Sequence, residues 1–217
     1  MIFKAAIFDL DGVIVNTAKY HYLAWKRLAK EKYGFDFSEE DNERLKGVSR
    51  MRSLEILLEC GGIKNISTDE MEKDAALKNK WYVEYISNID KNEILDGAVE
   101  YLVWLHQKRI KTALGSASKN AQIILNNLGI TKLFDVIVDG NSVTKPKPNP
   151  EVFLIGAQKL KIAPENCIVF EDSEAGINAA IKGGMKSIGI GNSDTLKKAN
   201  AVIGGLFAAK QVNTDIF

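Results

Sequence analysis

A short apolar run that stops at two carboxylates constrains this chain more than any other stretch. Ala5-Ala6-Ile7-Phe8 carries only apolar side chains and runs directly into Asp9-Leu10-Asp11-Gly12. A short run without alternation, flanked in this way, predicts a strand buried on both faces, as in a parallel sheet. Two acids at its carboxyl end are costly as plain structure, because burying even one unpaired carboxylate costs several kcal/mol. The pair therefore points to a cation or a reaction. The same residues also fit a solvated turn or a calcium loop, with Gly12 supplying a positive φ. The rest of the chain has to decide.

After Gly12 the period becomes helical. Tyr20, Leu23, Ala24, Leu28 and Ala29 recur at three- and four-residue spacing, which predicts a helix from Thr17 to Tyr33 closed by Gly34. His21 and Trp25 share one face of it; packing is the simpler reading, and a place for His21 near a site is the alternative. Residues 38–88 read as wholly helical. Ser38 precedes Glu39-Glu40-Asp41 and Ser49 can cap a helix from Met51 to Leu58, which Gly61-Gly62 end. Ser67-Thr68-Asp69-Glu70 then opens a long helix through Lys78 and Trp81 to about Ile86. Four helices with no strand between them predict a bundle-like insert.

From Glu93 onward strand and helix alternate. The pattern predicts strands at Ile110–Gly115, Phe134–Val138, Cys167–Phe170 and Ser187–Ile190, with Ala201–Ile203 as a last short strand. Helices at Gly97–Lys108, Ala121–Leu128, Pro150–Leu160 and Glu174–Lys182 fall between them. This is the signature of an α/β, doubly wound parallel sheet. The expected organisation is a catalytic core of residues 1–16 and 89–217, with an inserted α-helical cap domain at 17–88.

Composition narrows the function classes. A chain of 217 residues that is 46% hydrophobic and 26% charged can build a real core. The net charge of +1, with scattered Lys and Arg, argues for no nucleic-acid partner and no anionic membrane. Cys60 and Cys167 have no metal-ligand spacing and read as free thiols in a reducing compartment, so a cytoplasmic location is expected. Asp9 and Asp11 interrupt the only early apolar run, so no signal peptide is read, and no window approaches the ~20 apolar residues of a membrane span.

In open α/β sheets ligands bind beyond the carboxyl ends of the strands. Strand one ends there in Asp9 and Asp11. The second leads into Ser116-Ala117-Ser118-Lys119-Asn120, a natural anion cradle at a helix start. The third is followed by Lys145-Pro146-Lys147-Pro148-Asn149-Pro150, and the fourth ends in Glu171-Asp172-Ser173. Carboxylates, lysines and hydroxyls thus share one rim. Mg²⁺ takes few carboxylates plus phosphate and water, which suits Asp9, Asp172 and a backbone carbonyl near Asp11. One carboxylate can attack a phosphoryl group, and a second, two residues on, can shuttle the proton of an alcohol.

Asp9-x-Asp11-Gly12, Ser116, Lys147 and Glu171-Asp172 resemble, in chain order, the four motifs of the haloacid dehalogenase superfamily of phosphotransferases. The helical insert resembles that superfamily's cap, and the likeness covers nearly the whole chain. Asn16-Thr17-Ala18-Lys19-Tyr20-His21, Leu45-Lys46-Gly47-Val48-Ser49-Arg50, Ser116–Asn120 and Glu171-Asp172-Ser173-Glu174-Ala175-Gly176-Ile177 are similar to the sugar-phosphomutase branch within it.

The resemblance implies a Rossmann-like core, one Mg²⁺ per chain, and a monomer acting on a small-molecule sugar phosphate. It implies Asp9 as nucleophile and metal ligand, and Asp11 as general acid/base that lends its carbonyl to the metal. Asp172 becomes the third metal ligand with Glu171 beside it. Ser116, Ala117 and Lys147 would hold the transferring phosphate. Arg50, Ser118, Lys119 and Asn120 would hold the other, with Gly47, Val48 and Ser49 in the same cap block. Thr17, His21 and Lys78 would lie near the sugar or the cap hinge. The doubled Lys-Pro makes Lys145 a rival of Lys147, which is preferred because Pro150-Glu151-Val152-Phe153 follows it at the family's spacing. The implied reaction converts β-glucose 1-phosphate to glucose 6-phosphate through β-glucose 1,6-bisphosphate and a phosphorylated Asp9. A sugar-phosphate phosphatase and a catalytically inactive binding module are the alternatives.

Overall fold

The computed structural model of the chain describes residues 3–45 and 48–212. The chain divides into two compact units, one of residues 1–16 with 89–217 and one of residues 17–88.

The first unit is built on a six-stranded sheet in the order β3-β2-β1-β4-β5-β6, with every neighbouring pair parallel. The strands are β1 (Ala5–Phe8), β2 (Lys111–Gly115), β3 (Val136–Val138), β4 (Cys167–Glu171), β5 (Lys186–Ile190) and β6 (Ala201–Ile203). The helices α5 (Ala98–Gln107), α6 (Ala121–Leu128), α7 (Glu151–Leu160) and α8 (Glu174–Lys182) connect them. The strand order turns back at β1, whose neighbours are β2 and β4, and such a switch point opens a crevice at the carboxyl ends.

Both faces of the central strands are covered, which is why β1 reads as a continuous apolar run. Ala5 and Ile7 join Ala113, Phe153, Cys167 and Val169 in one buried cluster. Phe8 faces the other way, stacked on Phe170 at 4.7 Å between ring centroids and edge-on to Tyr101 at 6.2 Å. Burial of each such aromatic ring contributes roughly 1.5–3 kcal/mol.

β3 starts two residues later than the Phe134–Val138 run predicts. Asp135 is the reason: its Oδ2 accepts the Thr112 backbone N–H at 2.9 Å, and its own N–H donates to the Thr112 carbonyl at 2.9 Å. A side chain there takes the bond that a ladder would have used, so pairing begins at Val136 against Ala113. At the far end, β4 includes Glu171, one residue more than its apolar run suggests.

The second unit is wholly helical: α1 (Ala18–Tyr33), α2 (Glu39–Glu43), α3 (Arg50–Cys60) and α4 (Thr68–Ile86). Ser38, Ser49 and Ser67 each accept the N–H three residues on, at 3.0, 3.3 and 3.2 Å, and so cap α2, α3 and α4. α1 lies against α4 with Trp25, Leu28 and Tyr82 buried. Their far ends are joined by Asp74, a buried carboxylate of α4 that accepts from Lys32 Nζ and Tyr33 Oη of α1. Within the described residues no helix is long and apolar enough to cross a membrane.

Candidate active site

Adjacent parallel strands bring the acids together. Phe8 is in register with Phe170, and the Asp9 N–H donates to the Phe170 carbonyl at 2.9 Å. The residues that follow, Asp9 on β1 and Glu171 on β4, therefore leave the sheet side by side. Asp9, Glu171 and Asp172 each offer an oxygen within 4.8 Å of the others. Gly12 turns the chain away at φ +80°, and a Cβ there would overlap the Asp172 carboxylate. Glycine is required both for the backbone and for the space.

Lys147 reaches this cluster from the loop after β3. It is buried, with Nζ donating to Asp9 Oδ1 at 2.5 Å and to Glu171 Oε2 at 2.7 Å. Lys145, by contrast, is exposed, and its backbone N–H donates to Glu151 Oε2 at 2.6 Å. Of the two lysines the structure brings Lys147 to Asp9. The other Glu171 oxygen, Oε1, accepts from Ser173 N at 3.0 Å and Ser173 Oγ at 2.7 Å. A Cβ at Gly176 would overlap the Glu171 carboxyl, so the first turn of α8 is shaped around it. Glu171 thus has both oxygens engaged within the protein, and Asp172 lies beside it.

The electrostatics follow from this crowding. Were all three carboxylates ionised, the one ammonium would leave two negative charges uncompensated in a largely buried place. Burial pushes the Asp172 carboxyl up to about 9, helped by Glu171 and Asp9. Burial raises Asp9 to about 7; Lys147 opposes that rise, while Glu171 and Asp11 add to it. Burial alone would lower Lys147, but the two carboxylates outweigh it and hold the ammonium charged.

Next to this cluster, β2 ends at Gly115, in the register position beside Asp9, and Ser116 follows. Ser116 is buried, its N–H donates to the Val138 carbonyl at 3.0 Å, and its Oγ accepts the Ser118 N–H at 3.0 Å. Ser118 Oγ accepts from Asn120 N at 3.3 Å. Ala117 and Lys119 are exposed on the same turn, which leads into α6.

Other candidates lie in the helical unit. Lys78 is buried and donates to His21 Nδ1 at 2.8 Å, with its ammonium 4.5 Å from the Trp25 ring centre. His21 stacks on Tyr82 at 3.9 Å. Burial, then the charges of Lys78 and Arg50, push the His21 imidazolium well below its usual range, so the ring is neutral. Arg50 Nη2 donates to Asn79 Oδ1 at 2.8 Å. Ser49 caps α3 and Val48 is half-buried before it. Thr17 is buried, and its hydroxyl has no hydrogen-bond partner among the described residues. Gly47 lies outside the described residues.

Two further residues support the rim. Glu151 accepts from Thr144 N at 3.0 Å and Lys145 N at 2.6 Å, fixing the loop that carries Lys147. Asn141 donates to the Lys119 carbonyl at 2.9 Å. Glu151 acts on the loop just before its own helix, whereas Asn141 acts on backbone 22 residues away, and no local sequence pattern marks that bond.

Residues 6–190 match the haloacid dehalogenase-like hydrolase family. The chain is 42% identical to the beta-phosphoglucomutase of Bacillus subtilis over 92% of its own length and 88% of the relative's. It is 33% identical to a phosphorylated carbohydrates phosphatase of Thermotoga maritima, over 85% and 83% of the two chains. Its fold superimposes on the crystal structure of a beta-phosphoglucomutase from Clostridium difficile with a TM-score of 0.90 and 46% identity, covering 99% of this chain and 95% of that one. The chain belongs to the haloacid dehalogenase-like hydrolase family.

Proposed function

We propose that this protein is a phosphomutase that interconverts β-D-glucose 1-phosphate and glucose 6-phosphate through β-glucose 1,6-bisphosphate. The observation that carries the chemistry is the setting of Asp9: a buried carboxylate at a strand end, one oxygen held by Lys147, beside two further acids. Identities of 42% and 46% to two beta-phosphoglucomutases, against 33% to a carbohydrate phosphatase, support a sugar as the acceptor over water.

In this reading an Asp9 carboxylate oxygen attacks phosphorus, and the bond from phosphorus to the sugar oxygen breaks. Lys147 opposes the rise that burial imposes on the Asp9 carboxyl and neutralises charge on the transferring group. Asp11 protonates the leaving sugar oxygen and, in the return step, takes the proton of the accepting hydroxyl. Ser116 and the Ala117 amide hold the transferring group, while Ser118, Lys119, Asn120 and Arg50 bind the second phosphate. Lys78, His21 and Thr17 line the sugar's surroundings.

A divalent cation fits the donor set, because the three carboxylates, once ionised, would carry two more negative charges than Lys147 can offset. Asp9, Asp172 and the Asp11 carbonyl would hold Mg²⁺, with Glu171 behind them positioning Lys147. When bound, the ion supplies charge neutralisation at the phosphoryl oxygens.

The test is covalent labelling. Wild-type protein with radiolabelled acetyl phosphate and Mg²⁺ gains an acid-stable, base-labile phosphoryl group, and Asp9→Asn gains none. Labelling of Asp9→Asn at the wild-type level contradicts the nucleophile assignment.

A further inference from the structure

The loop that follows β3, residues 139–142, belongs to none of the motifs above, yet it is built onto the backbone of the Ser116–Asn120 turn. The Gly140 N–H donates to the Ser118 carbonyl at 3.0 Å, and Asn141 Nδ2 donates to the Lys119 carbonyl at 2.9 Å. Gly140 lies so close that a Cβ on it would overlap the Ala117 carbonyl. Asn141 is itself fixed by Asp139, whose Oδ2 accepts from Nδ2 at 2.9 Å and whose Oδ1 accepts the Asn141 N–H at 3.0 Å. Ser142 Oγ adds a bond to Asp139 Oδ1 at 3.1 Å.

Two successive carbonyls of the turn are therefore drawn to one side. In a planar trans peptide the N–H points opposite to the C=O. Tying the Ser118 and Lys119 carbonyls to the β3 loop fixes both peptide planes, and with them the directions of the Lys119 and Asn120 amides, the second of which donates to Ser118 Oγ at 3.3 Å. The turn leads into the first turn of α6, where backbone N–H groups favour an anion. The bond to Lys119 comes from a side chain, so it can be removed without breaking the fold: Asn141 is exposed.

We propose that Asn141 is a positioning residue for the second phosphate of the substrate. It holds the Lys119 peptide so that the Ser118–Asn120 backbone, and the Lys119 side chain that leaves from it, meet the phosphate that is not being transferred. This inference rests on the proposed function, in which that turn binds the second phosphate. It separates the two phosphate grips: Asn141 governs the one used only by a sugar phosphate, and Ser116 with Lys147 governs the one used by every phosphoryl donor.

The experiment compares two substrates in three proteins. Asn141→Asp keeps the side chain's shape but presents an oxygen to the Lys119 carbonyl and the Asp139 carboxylate, two acceptors. Asn141→Ala removes the donor alone. With β-glucose 1-phosphate, KM rises about three- to tenfold in both variants and more in Asn141→Asp, while kcat/KM for Asp9 phosphorylation by acetyl phosphate stays within about twofold. A parallel fall for both substrates identifies a general prop of the site and overturns the inference, as does an unchanged KM for the sugar phosphate. A wild-type protein that is phosphorylated by acetyl phosphate but does not act on the sugar phosphate overturns the proposed function, and this inference with it.

Discussion

Lys147 Nζ donates to Asp9 Oδ1 at 2.5 Å across 138 residues of sequence, and to Glu171 Oε2 at 2.7 Å. One ammonium thus binds the ends of two adjacent strands, β1 and β4, at the point where the sheet turns back.

Removing that ammonium leaves Asp9 and Glu171 buried without their counter-charge. Lys147→Met is expected to lower stability by about 3–5 kcal/mol, the usual cost of breaking a buried pair. Turnover should fall roughly 10²–10³-fold, as for loss of a charge stabiliser at a transferring group. Lys145→Met should change stability by no more than about 0.5 kcal/mol, because Lys145 is exposed and only its backbone N–H is held. Urea melts and steady-state rates of the two variants check this. Equal effects at the two lysines would contradict it.

Gly12 and Gly34 make a matched pair, both at positive φ, +80° and +73°. A Cβ at Gly34 meets nothing within 4 Å, whereas one at Gly12 overlaps the Asp172 carboxylate. Each alanine costs roughly 1–2 kcal/mol for the left-handed backbone. Gly12→Ala must also displace Asp172, and small misplacements at a reacting centre cost up to about 10²-fold in rate. A Mg²⁺ titration of activity separates the two: Gly12→Ala needs more Mg²⁺ and reaches a lower plateau, while Gly34→Ala follows wild type. A Gly12→Ala curve identical to wild type would show that Asp172 does not matter to the metal dependence.

The architecture was legible because its signals are local. An apolar run closing on acids gives a strand end, and three serines give three caps, two of them ahead of acid-rich first turns. The motif spacing led to the haloacid dehalogenase superfamily, and the family match over residues 6–190 agrees. Where β3 begins was not legible, since Asp135 bonds to a residue 23 positions away. Nor was the work of Glu171, which reads as one more acid until Lys147 and Ser173 are seen on its two oxygens. Asn141 escapes for the same reason: a side chain serving backbone 22 residues away leaves no periodic trace.

His21 gives the helical unit a pH dependence of definite sign. Burial and the charges of Lys78 and Arg50 keep the ring neutral in the folded state, well below its ordinary 6.5. The unfolded chain binds that proton near pH 6.5 and the folded one does not, so stability is full above this value and falls as the pH drops below it. The slope approaches about 1.4 kcal/mol per pH unit. His21→Gln cannot titrate, so the stability difference between wild type and variant should shift against wild type between pH 7.5 and 5. Denaturant midpoints across that range test it; a constant difference would mean that His21 titrates alike in both states.

Phosphorus NMR of the whole reaction tests the central claim most directly. The protein is given β-glucose 1-phosphate, Mg²⁺ and a trace of β-glucose 1,6-bisphosphate to charge Asp9. The glucose 6-phosphate resonance should grow mole for mole as β-glucose 1-phosphate disappears, with no matching inorganic phosphate, and Asp9→Asn should abolish the conversion. Inorganic phosphate released mole for mole, with no glucose 6-phosphate formed, would contradict the mutase and make the protein a phosphatase of the same family.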